Sequence, residues 1–213
     1  ASHELRSPLS AIQMRLQVLK RKYQDDAQLP QALQLIQNDV NRGTQVLENL
    51  LLLARLDPER TEQLPTQTIN LKNLIQEALQ ALQPFAEEKD IHWTLNLEDA
   101  VIEANPELIF SCIRNLVDNA IRYTLPQGQV EIRTVIEQHQ IQLLIENSGE
   151  GIADEVMERL GERFYRALGT RTQGSGLGLS ICQKIMALHA AKIDYAPSVL
   201  GGLKVSLSFK HES

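Results

Sequence analysis

The first residues with chemical potential stand at the start of the chain. Ser2-His3-Glu4-Leu5-Arg6-Ser7-Pro8-Leu9 sets an imidazole beside a carboxylate, a nucleophile with an orienting or proton-accepting neighbour. If Glu4 accepts the proton of one ring nitrogen, the other gains nucleophilicity. Pro8 follows Glu4 by four positions, where its ring clashes with the carbonyl of residue 4 and removes a helical hydrogen bond, so a kink is expected at His3. A lone His-Glu pair is more often solvated helix surface. The rest of the sequence decides between the two.

Three further segments carry the same kind of potential. Arg114 to Tyr123 fits a helix with Ile109, Cys112, Ile113, Leu116, Val117 and Ala120 on one apolar face. Asn115, Asn119 and Arg122 form a polar stripe along its border. Asparagine is a poor residue for a helix interior, whereas an amide oxygen suits Mg²⁺ or its waters and an arginine suits phosphate. Glu146-Asn147-Ser148-Gly149-Glu150-Gly151-Ile152 ends a strand in a glycine turn, and Gly174-Ser175-Gly176-Leu177-Gly178-Leu179 opens a helix. Glycines at a helix N-terminus let backbone N–H groups approach a phosphate where the dipole favours it. A dinucleotide fingerprint does not fit, because a polar loop precedes Gly174 and Leu179 stands where glycine or alanine is needed. No Gly-Lys-Ser/Thr, His-Arg-Asp or Asp-Phe-Gly occurs, so Walker A and protein-kinase readings fail too. Taken singly, the asparagine stripe is a solvated flank and each glycine run a structural turn.

These segments need elements to hold them. Leu5, Leu9, Ile12, Leu16 and Leu19 form a heptad seam, broken at Asp25 to Pro30. It resumes at Leu33, Ile36, Val40, Gly43, Leu47, Leu50 and Ala54. Two such helices cannot enclose a core as a lone hairpin, so dimerisation into a four-helix bundle is the economical solution; packing of the hairpin on the rest of its own chain is the alternative. Asp57-Pro58 stops the second helix, and polar residues up to 70 read as a linker. Helices are expected over 71–88, 106–123 and 176–190, and strands over 91–97, 100–104, 129–137, 140–147, 192–196 and 203–209, with loop-rich sequence between 148 and 175. That order fits a helix layer on one face of a mixed sheet better than a doubly wound fold.

Composition narrows the classes. At 213 residues, with 43% hydrophobic and 23% charged side chains, the chain is neither disordered nor fibrous. Its net charge of −6 argues against nucleic acid, which needs a basic face. No apolar run is long enough to span a membrane. The basic and acidic residues of the amphipathic hairpin are balanced, which also argues against a membrane-surface role. Cys112 and Cys182 lie on apolar helix faces and read as core thiols of a reducing compartment. His92, His139, His189 and His211 show no zinc spacing.

In this order and spacing the segments resemble the kinase core of bacterial two-component sensor histidine kinases, across essentially the whole chain. Residues 2–9 are similar to the family's H box, Asn115 to Thr124 to its N box, and Asn147 to Ile152 to its first glycine box. Glu162-Arg163-Phe164-Tyr165-Arg166 is similar to the F box and Gly174 to Leu179 to the second glycine box. The Gly-Glu-Arg-Phe-Tyr-Arg and Gly-Ser-Gly-Leu-Gly-Leu-Ser-Ile details resemble the QseC-like subgroup. The resemblance implies an α+β chain: a hairpin at 1–57 forming a dimeric four-helix bundle, a linker at 58–70, and an α/β-sandwich ATP-binding domain of the GHKL (Bergerat) type at 71–213.

It also implies the roles. His3 would take the γ-phosphoryl group of ATP, Glu4 would be the base, and Ser7 would place water during dephosphorylation of the partner. Asn119 would hold Mg²⁺, with Asn115 supporting metal and phosphates. Arg122 would contact phosphate and Tyr123 would pack near adenine. Asn147, Gly149, Gly151 and Ile152 would border the base, and Gly174, Ser175, Gly176, Leu177 and Gly178 the phosphates. Residues 161–175 would form a lid bringing Arg166 and Arg171 toward the phosphates. The implied partners are a second copy through 1–57 and the receiver domain of a response regulator. The implied location is the cytoplasmic side of a bacterial inner membrane, with sensor and membrane segments outside this sequence.

One departure stands out. The family's first glycine box usually carries an aspartate that reads the adenine amino group, and Asn147 occupies that place. An amide oxygen accepts the same bond without charge assistance, so ATP binding is expected to survive in weaker form unless compensated. Two other functions remain open: an ATPase or conformational clamp of the same superfamily, and an ATP-binding pseudokinase scaffold.

Overall fold

Asn70 and Asn105 fix where the two longest helices begin. The Asn70 side chain accepts from Lys72 N (2.9 Å) to open α1 (Leu71–Glu88), and Asn105 Oδ1 accepts from Leu108 N (3.1 Å) to open α2 (Pro106–Tyr123), with Pro106 in its first turn. The structure is a computed structural model. It describes residues 12, 14–19, 21, 23, 33, 36, 37, 40, 44, 47, 51, 65–162 and 177–210. The chain divides into two compact units, Ala1–Arg55 and Leu56–Ser213.

In the first unit every described residue except Tyr23 is helical. Leu16 and Leu33 are buried, while their seam neighbours Ile12, Leu19 and Ile36 are exposed.

The second unit is a helix layer on one face of a mixed sheet, as the order of elements implied. Its elements are β1 (Gln67–Asn70), α1, β2 (His92–Asn96), β3 (Val101–Ala104), α2, β4 (Gln129–Glu137), β5 (Gln140–Ser148), α3 (Asp154–Met157), α4 (Gly178–Leu188), β6 (Lys192–Pro197) and β7 (Gly201–Lys210). The main sheet runs β2-β4-β5-β7-β6; β2 and β4 are parallel and the other pairs antiparallel. Helix α2 lies between α1 and α4 and packs onto β5. All six residues expected on its apolar face are buried, Ile109, Cys112, Ile113 and Val117 completely.

Two expectations need correction. Gln67–Asn70, read as the end of a linker, is a strand paired antiparallel with β3, Ile69 opposite Ile102. Four residues with one buried side chain carry too little alternation to announce a strand. The loop-rich stretch contains the short helix α3, and the helix expected from 176 begins at Gly178.

Candidate functional site

The last turns of α2, the end of β5 and the first turn of α4 converge, and glycines permit the approach. A Cβ on Gly178 would lie 3.3 Å from Asn115 Oδ1 and 3.7 Å from Asn119 Nδ2. One on Gly149 would lie 3.1 Å from the Tyr123 carbonyl oxygen and 3.4 Å from Asn147 Nδ2. Asn115 Nδ2 donates to Ser111 O (2.8 Å), which turns its oxygen toward Gly178. Among the described residues no side chain caps the N-terminus of α4, an eleven-residue helix. Its first backbone N–H groups and the helix dipole therefore lie beside the two asparagine amides, a setting suited to phosphate.

Arg122 is held on its own helix, its Nη2 2.6 Å from Asp118 Oδ2. Tyr123 is exposed, and Leu177, immediately before α4, is fully buried. Ile152 is half-buried and Gly151 exposed. His3, Glu4, Ser7, Arg166, Arg171, Gly174, Ser175 and Gly176 lie outside the described residues.

Asn147 is buried and already bonded. Its Nδ2 donates to Ser148 O (2.8 Å) and its Oδ1 accepts from Leu203 N (3.3 Å), across a register irregularity between Glu146 and Ser148 in the β5–β7 pairing. A Cβ on Gly202 would come within 2.3 Å of Asn147 O, so only glycine fits there. Asn147 thus stabilises the end of β5 as well as facing the convergence. Glu146 points to the opposite face, where Arg133 Nη2 (2.8 Å) and Ser198 Oγ (2.9 Å) both donate to it.

Sequence reasoning missed Lys89, in the turn after α1. Its Nζ donates to the carbonyls of Arg122 (2.7 Å), Thr124 (2.8 Å) and Ile121 (3.0 Å) at the end of α2. Partial burial lowers its pKa, the Arg122 charge adds to this, and Glu88 opposes it. Nothing in a one-dimensional pattern marks a side chain whose partners are carbonyls more than thirty residues away.

The donors fit a divalent cation carried in with a nucleotide. Among the described residues no three His, Cys, Asp or Glu side chains could hold a metal. Amide oxygens at Asn115 and Asn119 suit Mg²⁺ that keeps waters and phosphate oxygens as its other ligands.

A mixed sheet under one helix layer, with a glycine loop and a helix N-terminus meeting an asparagine-bearing helix, defines a nucleotide-binding α/β sandwich. The family model described as histidine kinase-, DNA gyrase B- and HSP90-like ATPase matches residues 104–213, and the chain belongs to that family. The His Kinase A (phospho-acceptor) domain model matches residues 1–59, so the two together mark a histidine kinase core. The chain is 35% identical over 211 residues to the sensor protein QseC of Salmonella typhimurium, covering 98% of this chain and 46% of that protein. It is 35% identical over 210 residues to the sensor protein kinase PmrB of Pseudomonas aeruginosa, covering 97% and 43%. It thus spans about half the length of these relatives. The solved structure of histidine kinase ThkA in complex with response regulator protein TrrA matches with a TM-score of 0.68 at 25% identity, covering 99% of this chain and 59% of that one. The similarity to QseC agrees with the subgroup expected from the sequence.

Proposed function

We propose that the chain is an ATP-dependent autokinase core that phosphorylates His3 and passes the phosphoryl group to an aspartate of a response regulator, with phosphatase activity toward that partner. The observation that supports this most is the approach of Gly178 to Asn115 and Asn119 at the N-terminus of α4. Those groups would bind the triphosphate and its Mg²⁺, with Asn119 on the metal and Asn115 supporting metal and phosphates. Arg122 would reach phosphate after leaving Asp118, and Tyr123 would pack near the base. Asn147 would accept from the adenine amino group through the second lone pair of Oδ1, beside Gly149, Gly151 and Ile152. Gly174, Ser175, Gly176 and Leu177 would complete the phosphate loop, and Arg166 and Arg171 would bring positive charge. Bound ATP would supply the γ-phosphoryl group. This chain would supply positioning and charge neutralisation, the two terms that dominate phosphoryl transfer. Glu4 would take the His3 proton and Ser7 would place water in the reverse reaction.

The hairpin at 1–57 would pair with a second copy. Ile12, Leu19 and Ile36 belong to the two apolar seams yet are exposed in the single chain, which favours a surface awaiting another hairpin. The linker would occupy the residues after 57 and end before β1, and the catalytic domain would follow. No helix among the described residues is long and apolar enough to cross a membrane; the core would sit on the cytoplasmic side of a bacterial inner membrane, attached through segments outside this sequence.

Incubation with γ-labelled ATP and Mg²⁺ tests the proposal. Acid-labile, base-stable label that disappears in His3→Ala is the expected result. Free phosphate without labelled protein would point to an ATPase clamp, and nucleotide binding with neither product to a scaffold.

A further inference from the structure

The ammonium group of Lys89 holds three carbonyls of one helix end, those of residues 121, 122 and 124. The carbonyl it passes over, that of Tyr123, faces Gly149 across the convergence. The same segment carries Asn119, Arg122 and Tyr123. Lys89 also holds the chain beyond the helix, because its own carbonyl accepts from Gln127 N (2.8 Å). From there Gly128 leads into β4, where Gln129 N donates to Ser148 Oγ (2.8 Å), next to Asn147. Lys89 on α1's exit turn therefore holds the end of α2 through its side chain and the turn that leads into β4 through its backbone carbonyl. A cation at a helix C-terminus is favourable in itself; here the gripped turn is the one that meets the glycine loop.

The geometry assigns Lys89 as a positioning residue for nucleotide binding: it orients the last turn of α2 so that Asn119 and Tyr123 meet the Gly149 loop and the first turn of α4. The assignment rests on the nucleotide reading of the site. Lys89 does not itself face the convergence through its ammonium, which is occupied by the three carbonyls. Removal of the charge leaves three carbonyls to find other partners, and the turn can relax by fraying. Its conformational freedom then has to be lost again when nucleotide binds, which appears as lost affinity.

Calorimetric titration of the whole chain with Mg·ADP, well below the unfolding midpoint of each variant, tests it. Lys89→Met keeps the stem and removes the charge; its dissociation constant is expected to rise about tenfold, as for loss of a charged hydrogen-bonding group. Lys89→Arg, which keeps the charge and reaches two carbonyls with its fork, should recover most of the affinity. In a phosphorylation assay Lys89→Met should raise KM for ATP and leave the rate at saturating ATP unchanged. A purely stabilising role would lower the unfolding midpoint of Lys89→Met and leave affinity and KM as in the parent, which overturns the assignment. Should Lys89→Met not fold, Lys89→Gln serves, with an affinity loss of about threefold expected and none overturning the assignment. If the parent chain fails to bind Mg·ADP, the nucleotide reading falls and the assignment with it. A parent that binds, beside a Lys89→Met protein that binds equally well, overturns the assignment alone.

Discussion

His189 ties the C-terminal end of α4 to the start of α2. Its Nε2 accepts from Asn105 N (3.0 Å) while Nδ1 donates to the Ile185 carbonyl (2.7 Å), which fixes the neutral tautomer. The same Asn105 caps α2 through Oδ1 and donates through Nδ2 to Pro65 O (3.0 Å). At the other end of α2, Gly178 lies against Asn115 and Asn119. The two helices are thus fixed to each other antiparallel, by an imidazole at one end and by glycine contact at the other.

His189→Ala separates the two ends. It strands the Asn105 N–H and should lower unfolding free energy by about 1–3 kcal/mol in denaturant titration. Helix α2 has 18 residues, so at about 1.5 Å per residue the latch stands far from Asn119. Nucleotide affinity measured below the unfolding transition should be unchanged. An affinity loss as large as the stability loss would mean that the two ends are coupled.

Gly178→Ala probes the opposite end. The added Cβ would press on Asn115 Oδ1 at 3.3 Å, displacing either the amide or the helix N-terminus by a few tenths of an ångström. Affinity for Mg·ADP should fall about tenfold, through the lost fit at the phosphates. Stability should hold or rise by up to about 1 kcal/mol, because alanine is the better helix former. Weak binding in a protein of unchanged stability is the signature to look for; unchanged binding would remove Gly178 from the site.

The helices were legible because their signals are long. The apolar face from Ile109 to Ala120 identifies α2, and β4 alternates cleanly, whereas β5 is buried without a break from Leu143 to Asn147 and was read from its apolar run. Strand β1 was hidden, since its pairing with β3 depends on tertiary context rather than on its own four residues. Among the candidate site residues, the Asn115 and Asn119 stripe and the glycine of α4 that lies against it could be singled out from spacing. The Asp118–Arg122 pair sits at i, i+4 and was readable in principle. Lys89 and the bonded state of Asn147 were not readable, because their partners are backbone groups brought near only by the fold.

Asn147→Asp sets two effects against each other. A carboxylate would place an oxygen where Nδ2 now donates to Ser148 O at 2.8 Å, so a donor–acceptor pair becomes two acceptors in a buried place. Unfolding free energy at neutral pH should drop by about 1–3 kcal/mol. Burial and the facing carbonyl would raise the new carboxyl's pKa above its unfolded value. The group is then more readily protonated in the folded chain, so the penalty should shrink as pH falls through that raised pKa. Affinity for Mg·ADP, measured where the protein is folded, should increase, since a charged oxygen accepts more strongly from the adenine amino group. Unchanged or weaker affinity would remove Asn147 from the base-reading role while leaving its part in the β5–β7 irregularity intact.

Tyr195 gives the alkaline test. Its hydroxyl is buried and has no hydrogen-bond partner among the described residues. Burial pushes its pKa well above the usual tyrosine value, with Cys182 and Cys112 adding to the shift. The sign follows from linkage: above pH about 10 the unfolded chain releases this proton while the folded chain retains it, so stability falls as pH rises through that value. Tyr195→Phe removes both the unpaired hydroxyl and the titration. At neutral pH it should match or exceed the parent by about 1 kcal/mol, because deleting a buried unsatisfied group removes its desolvation cost. Above pH about 10 the difference should widen by up to about 1.4 kcal/mol per pH unit. Denaturant titrations of the two proteins across that range measure it. A Phe variant less stable at neutral pH would show that the hydroxyl is bonded in solution, and a difference that stays constant with pH would show that its pKa is not raised by the fold.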